Sequence, residues 1–121
     1  MTRINVGVEP HELNDLMLRA EHREIKRIPN VIKSGRFNMK GQPEMFTLGT
    51  GHVKFFYDKI LYLEKRYEQL YQECIRRGFN MTYFGESFEG VPDEYRGDYT
   101  PSDRDREIIL DRIEARLRGE P

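Results

Sequence analysis

The chain has 121 residues, 37% apolar and 34% charged, with no tryptophan, which suits one small domain with much solvated helix surface and leaves too little chain for two cores. Its 20 Lys and Arg against 21 Asp and Glu give a net charge of −1, which argues against a uniformly basic nucleic-acid protein. No apolar run approaches the ~20 residues of a membrane span and the N-terminus has no apolar signal core, so a soluble intracellular protein is expected, without a disulfide framework because Cys74 is alone.

The average charge hides a gradient. Residues 1–40 carry eight basic against five acidic side chains, a balance of +3, whereas residues 81–121 carry six against eleven, a balance of −5. A polyanion should be met by the N-terminal third, helped by individual basic residues elsewhere.

The chain opens MTRIN. A small second residue favours removal of the initiator methionine, which would leave Thr2 carrying a free α-amine. Such an amine is either an incidental terminus or a nucleophile.

The first helix is expected over about 10–28, opened by Pro10 and closed by Pro29. Stepping about 100° per residue from Leu13 gathers Leu13, Leu16, Met17, Ala20 and Ile28 into one apolar arc, with Glu24 in its middle and Arg23 and Arg27 on its shoulder. A carboxylate among apolar neighbours must be paired or shift its proton affinity upward. Two readings remain open: a structural ion pair to the second helix, through Arg66, or a functional carboxylate at the mouth of the core flanked by phosphate-binding arginines.

A loop over 30–50, with one possible turn at NVIKSGRF, leads to the second helix, expected over about 51–77. Its apolar residues Val53, Phe56, Tyr57, Ile60, Leu63, Tyr67, Leu70 and Cys74 recur every three or four positions, which makes Cys74 a core thiol. Unbroken, it would span about 40 Å. The LGTG before it is either a plain turn or an anion site built from backbone N–H groups, with His52 in the first helical turn.

A second loop, 79–100, precedes the third helix. Thr100 is its expected cap, Pro101 its first turn, Asp103 the residue reaching back, and Ile109, Leu110, Ile113 and Leu117 its buried stripe. The fold class expected is all-α: a compact single domain of three helices with irregular connecting loops. The histidines His11, His22 and His52 are scattered and no pair has ligand spacing beside carboxylates, so neither a metal nor another cofactor is expected.

MTRIN, AEHREIKR, LGTGHVKFFYDK, ECIRRGFN and PDEYRGDYTP together resemble the phage-type endonuclease V family, the pyrimidine dimer DNA glycosylases with an associated abasic-site lyase, collinearly over about residues 1–118. The resemblance implies that Thr2 attacks the anomeric carbon of the damaged nucleotide through its amine, and that Glu24 stabilises the charged sugar and serves β-elimination. It further implies that Arg3, Arg23, Arg27, Arg112 and Arg116 grip phosphates of damaged double-stranded DNA; His52 is a further candidate phosphate contact from the Gly-rich turn alone. A monomer without membrane association is expected.

The chain departs from its relatives at two places. Leu16 and Met17 stand where close relatives carry a Gln-His pair, and the sequence closes on RLRGEP instead of an aromatic, basic tail that helps form the lesion pocket. The alternatives are a family member with altered catalysis that binds distorted DNA or a host factor, and a glycosylase of the same mechanism for another damaged or modified base.

Overall fold

The computed structural model describes residues 2–119; Met1, and with it the expected methionine removal, and the last two residues of RLRGEP lie outside them. The described residues are helical, with no strand beyond an isolated bridge between Lys59 and Arg96. In chain order the helices are α1 (Asp15–Glu24), α2 (Arg27–Ser34), a single turn α3 (His52–Phe55), α4 (Ile60–Arg76) and α5 (Asp103–Leu117). The all-α expectation holds. Among the described residues the helices longer than one turn number four, not three.

The extra helix comes from Pro29. It falls in the first turn of α2, where its missing N–H is not needed, so it opens a helix instead of closing one. Its ring and lack of a donor are incompatible with a ladder running back to Ile25, and α1 accordingly ends at Glu24, with the chain bending at Ile25 and Lys26. At the other end, Asn14 caps α1 by accepting from Met17 N at 2.8 Å, and Pro10 belongs to a separate 3₁₀ turn, Pro10–Glu12.

The expected 51–77 helix is broken in the middle. The Gln42 side-chain amide donates to the carbonyls of Lys54 and Phe55, both at 3.2 Å, and to Asp58 Oδ1 at 3.0 Å, occupying acceptors that a continuous helix would use. Gly97 then donates to Asp58 O at 2.9 Å, and a Cβ at Gly97 would lie 2.4 Å from that oxygen, so only glycine fits. What remains, α4, has 17 residues and is about 25 Å long.

α5 starts two residues later than expected. Ser102 accepts from Asp105 N at 3.1 Å while Asp105 Oδ2 accepts from Ser102 N at 3.0 Å, a reciprocal capping box that leaves Pro101 outside the helix. Of its expected stripe only Ile109 is fully buried; Ile113 is half-buried and Leu110 and Leu117 are exposed.

The core is built around the N-terminal segment, whose Ile4, Val6 and Val8 are buried against α1 and α4 residues including Leu18, Leu63, Tyr67 and Leu70, with Cys74 among them as expected. α1 packs chiefly on α4. α5 is held to the N-terminal segment by Arg106, which donates to Gly7 O at 2.9 Å and to the Glu12 carboxylate at 2.8 and 2.6 Å. The irregular N-terminal segment, which turns at residues 6–8, therefore runs against the helices and delivers residues 2–5 to one place.

Candidate active site

That place is a cleft of about 260 Å³ walled by three elements: Arg3 and Asn5 from the N-terminal segment, Leu16, Met17, Ala20, Glu21 and Glu24 from α1, and Ile113 and Arg116 from α5. Two carboxylates one helical turn apart enter it, and their environments differ. Glu21, with its side chain 1% exposed, accepts from Arg66 Nε at 2.8 Å, from an Arg66 terminal nitrogen at 3.0 Å and from Asn5 Nδ2 at 2.7 Å. Arg66 spends its other terminal nitrogen on Val8 O at 2.7 Å. Burial opposes the charge on Arg66, but the Glu21 carboxylate more than offsets this and holds the Arg66 pKa above its ordinary value. The pair is a closed, satisfied unit that ties α1, α4 and the N-terminal segment together.

Glu24 is the other kind of carboxylate. Its side chain is 16% exposed, it faces the cleft, and Arg23 approaches it at 3.5 Å from a guanidinium that is itself 60% exposed. The structural ion pair that sequence spacing suggested for Glu24 and Arg66 is thus made by Glu21, one turn earlier. The reason is the helix phase. Leu18, Glu21, His22 and Ile25 form the core-facing stripe, whereas the arc of Leu16, Met17, Ala20 and Glu24 is the wall of the cleft.

Arg3 lies close to Glu24, Arg112 and Arg116. Burial and the two guanidiniums push its pKa down, with Glu24 opposing them. Arg112 carries a terminal nitrogen that is buried and has no hydrogen-bond partner among the described residues. Three guanidiniums crowded around one rim repel one another and favour an anion between them. Arg23 extends this rim along α1. Arg27 is exposed as the first residue of α2, past the bend, and does not line the cleft.

His52 does not serve as an anion contact. It is 4% exposed; its Nε2 accepts from Ile4 N at 2.9 Å and its Nδ1 donates to Thr47 O at 2.8 Å, which fixes the neutral tautomer and leaves no ring nitrogen for a phosphate. Burial lowers its pKa, in keeping with that role. His52 is instead the clamp that fixes the N-terminal segment. Thr2, 9% exposed, is not itself a lining residue; it immediately precedes Arg3, which is, and lies two residues from the clamped Ile4.

Sequence reasoning missed Asn5, which satisfies Glu21, and the clamp role of His52. A buried-stripe count restricted to residues after the Asn14 cap would have found Glu21; nothing in the sequence signals the contact between Ile4 and His52, 48 residues apart.

Residues 1–85 match the family model described as pyrimidine dimer DNA glycosylase, well over half of the chain. The chain belongs to that family. The matched span holds Thr2, Arg3, Asn5, Glu21, Glu24 and Arg66, so the N-terminal segment, both carboxylates and the buried ion pair lie within the pyrimidine dimer glycosylase match. Ile113 and Arg116, the third wall, lie beyond it. A DNA-repair glycosylase acting on UV damage accounts for a cleft in which the partly buried Glu24 carboxylate shares the walls with Arg3 and Arg116.

Proposed function

We propose that the protein breaks the glycosidic bond of one nucleotide of a cis-syn pyrimidine dimer and then nicks the strand, using the Thr2 α-amine as nucleophile and Glu24 as the acid/base group. A terminal amine has an unperturbed pKa of about 7.7–8.0 against about 10.4 for lysine, so at neutral pH roughly two to three hundred times more of it is unprotonated. In the first step the amine nitrogen bonds to C1′ as the C1′–N bond to the base breaks; the base nitrogen keeps the electron pair and takes up the proton the amine gives up, and the base stays tethered to its dimer partner through the cyclobutane ring. The nitrogen lone pair then expels O4′: the C1′–O4′ bond breaks, O4′ takes up a proton, and C1′=N remains as a Schiff base. In the second step a proton leaves C2′, the C3′–O bond to phosphate breaks, and the strand is cut.

The observation that carries this reading is the asymmetry of the two cleft carboxylates. Glu21 is paired with Arg66 and sealed, while Glu24 stands half-buried at the cleft wall beside Arg3. A carboxylate there stabilises cationic character at C1′ and can take the C2′ proton. Arg3, Arg23, Arg112 and Arg116 would hold the phosphates flanking the lesion, and Arg27 a phosphate farther along the duplex.

The chemistry requires that residue 2 be the first of the mature chain. Protein verified by intact mass to start at Thr2, incubated with UV-irradiated or abasic duplex and borohydride, should form a covalent adduct, and prior acetylation of the α-amine should abolish it. Absence of an adduct with both substrates would overturn the assignment. A second reading, a glycosylase of the same mechanism for another damaged base, is favoured by the apolar α1 wall at Leu16, Met17 and Ala20, which offers the lesion no polar side chain; a panel of lesion-bearing duplexes separates the two.

A further inference from the structure

Leu16 is 66% exposed although it lies in the first turn of a helix whose next residues enter the core. A single exposed leucine is ordinary. Three features set this one apart. It is the shared wall of two cavities: the Glu24 cleft, and a second of about 440 Å³ whose lining includes Arg19, Arg23, Asn80 and Phe84. It is carried on fixed backbone. Asn14 caps the helix at Met17 N, Arg77 pairs with Asp15 at 3.0 Å and donates to Leu13 O at 2.7 Å, and Leu13 and Leu18 on either side are buried. And guanidiniums flank it on both sides, Arg3 and Arg116 across one cavity, Arg19 and Arg23 across the other.

We propose that Leu16, backed by Met17, is an apolar wedge that presses into the base stack of duplex DNA beside the damaged nucleotide. This rests on the reading above, in which a deoxyribose occupies the Glu24 cleft. With phosphates drawn to arginines on both flanks, the ridge between them meets bases and not backbone. A rigid hydrocarbon side chain there unstacks the adjoining step and holds the duplex kinked, as apolar wedges do in architectural DNA-binding proteins. Leu16 is a positioning residue: it touches no reacting atom and lowers the cost of bringing the sugar to Glu24. That cost is smallest where no base must be displaced.

The test compares Leu16→Ala, its apolar replacement Leu16→Met and the parent on two duplexes, one carrying a single thymine dimer and one a single abasic site, with 2-aminopurine next to the lesion as a fluorescent report of unstacking. Leu16→Ala should process the dimer about tenfold more slowly, act on the abasic site within about twofold of the parent, and lose the fluorescence rise on binding, with Leu16→Met restoring both. Equal loss on both duplexes, or no loss on the dimer, overturns the wedge. A parent that traps on neither duplex refutes the proposed chemistry instead; the fluorescence arm then decides the wedge alone, upheld by a rise that Leu16→Ala abolishes and overturned by any other pattern.

Discussion

Glu21 and Arg66 form a buried two-pronged ion pair, at 2.8 and 3.0 Å, that joins α1 to α4 beneath the floor of the Glu24 cleft. With the side chains 1% and 5% exposed, removing one partner strands a charge in the core. Arg66→Met should therefore destabilise the protein by roughly 3–5 kcal/mol. The double change Glu21→Leu with Arg66→Met should recover most of that, less about 1–2 kcal/mol for the stranded Val8 carbonyl and Asn5 amide. Urea midpoints for the two single variants and the double variant check this through a double-mutant cycle.

The His52 clamp predicts a pH dependence of stability. Burial lowers the pKa of His52, and burial together with Lys26 lowers that of His22, so the folded protein keeps both rings neutral below the value of 6.5 at which the unfolded chain takes up protons. Stability is complete above about pH 6.5 and falls as pH drops toward the folded values, by at most about 1.4 kcal/mol per pH unit for each histidine. Glu12, held to about 2 by Arg106, and Glu73, held to about 2 by Arg76 and Arg77, lose their contributions only below 4.5, so they do not enter this range. The urea midpoint should fall between pH 7.5 and 5.5, and His52→Gln, which keeps an acceptor for Ile4 N–H but no titrating ring, should flatten the slope by about half.

Glu24→Gln keeps the shape of the cleft wall and removes the charge. Turnover should drop by about 10²–10⁴-fold while affinity for lesion-bearing duplex stays within a few-fold of the parent. Single-turnover cleavage together with a gel-shift titration separates the two effects. Parallel loss of binding would move Glu24 from chemistry to DNA contact.

Arg112→Ala and Arg116→Ala should weaken binding to damaged and undamaged duplex alike, because phosphate contacts carry no lesion information. Each should also flatten the dependence of log K on log salt by about one phosphate's share. A loss confined to lesion-bearing duplex would place the residue against the damaged base.

The sequence was most readable where a rule is local. The α4 stripe, the buried Cys74 and the position of Glu24 beside arginines follow from spacing alone. It failed where a distant side chain overrides local preference: Gln42 splits the second helix through carbonyls twelve and thirteen residues downstream of it, and Arg66 selects Glu21 over Glu24 from across the core. Pro29 is ambiguous for a different reason, since a proline that ends one helix can equally begin the next, and only the bend at Ile25 and Lys26 decides between them. The motif resemblance pointed to the family, and the family match agrees; the walls of the cleft came from folding.

The central claim is that the residue-2 α-amine is the atom that bonds to the sugar. Borohydride-reduced adduct with a single-site abasic duplex, digested with nuclease and protease and sequenced by mass spectrometry, locates that bond directly. A sugar-derived mass on the N-terminal peptide, attached to the Thr2 nitrogen, is the predicted result. The same mass on a lysine side chain, with the Thr2 amine unmodified, would contradict it.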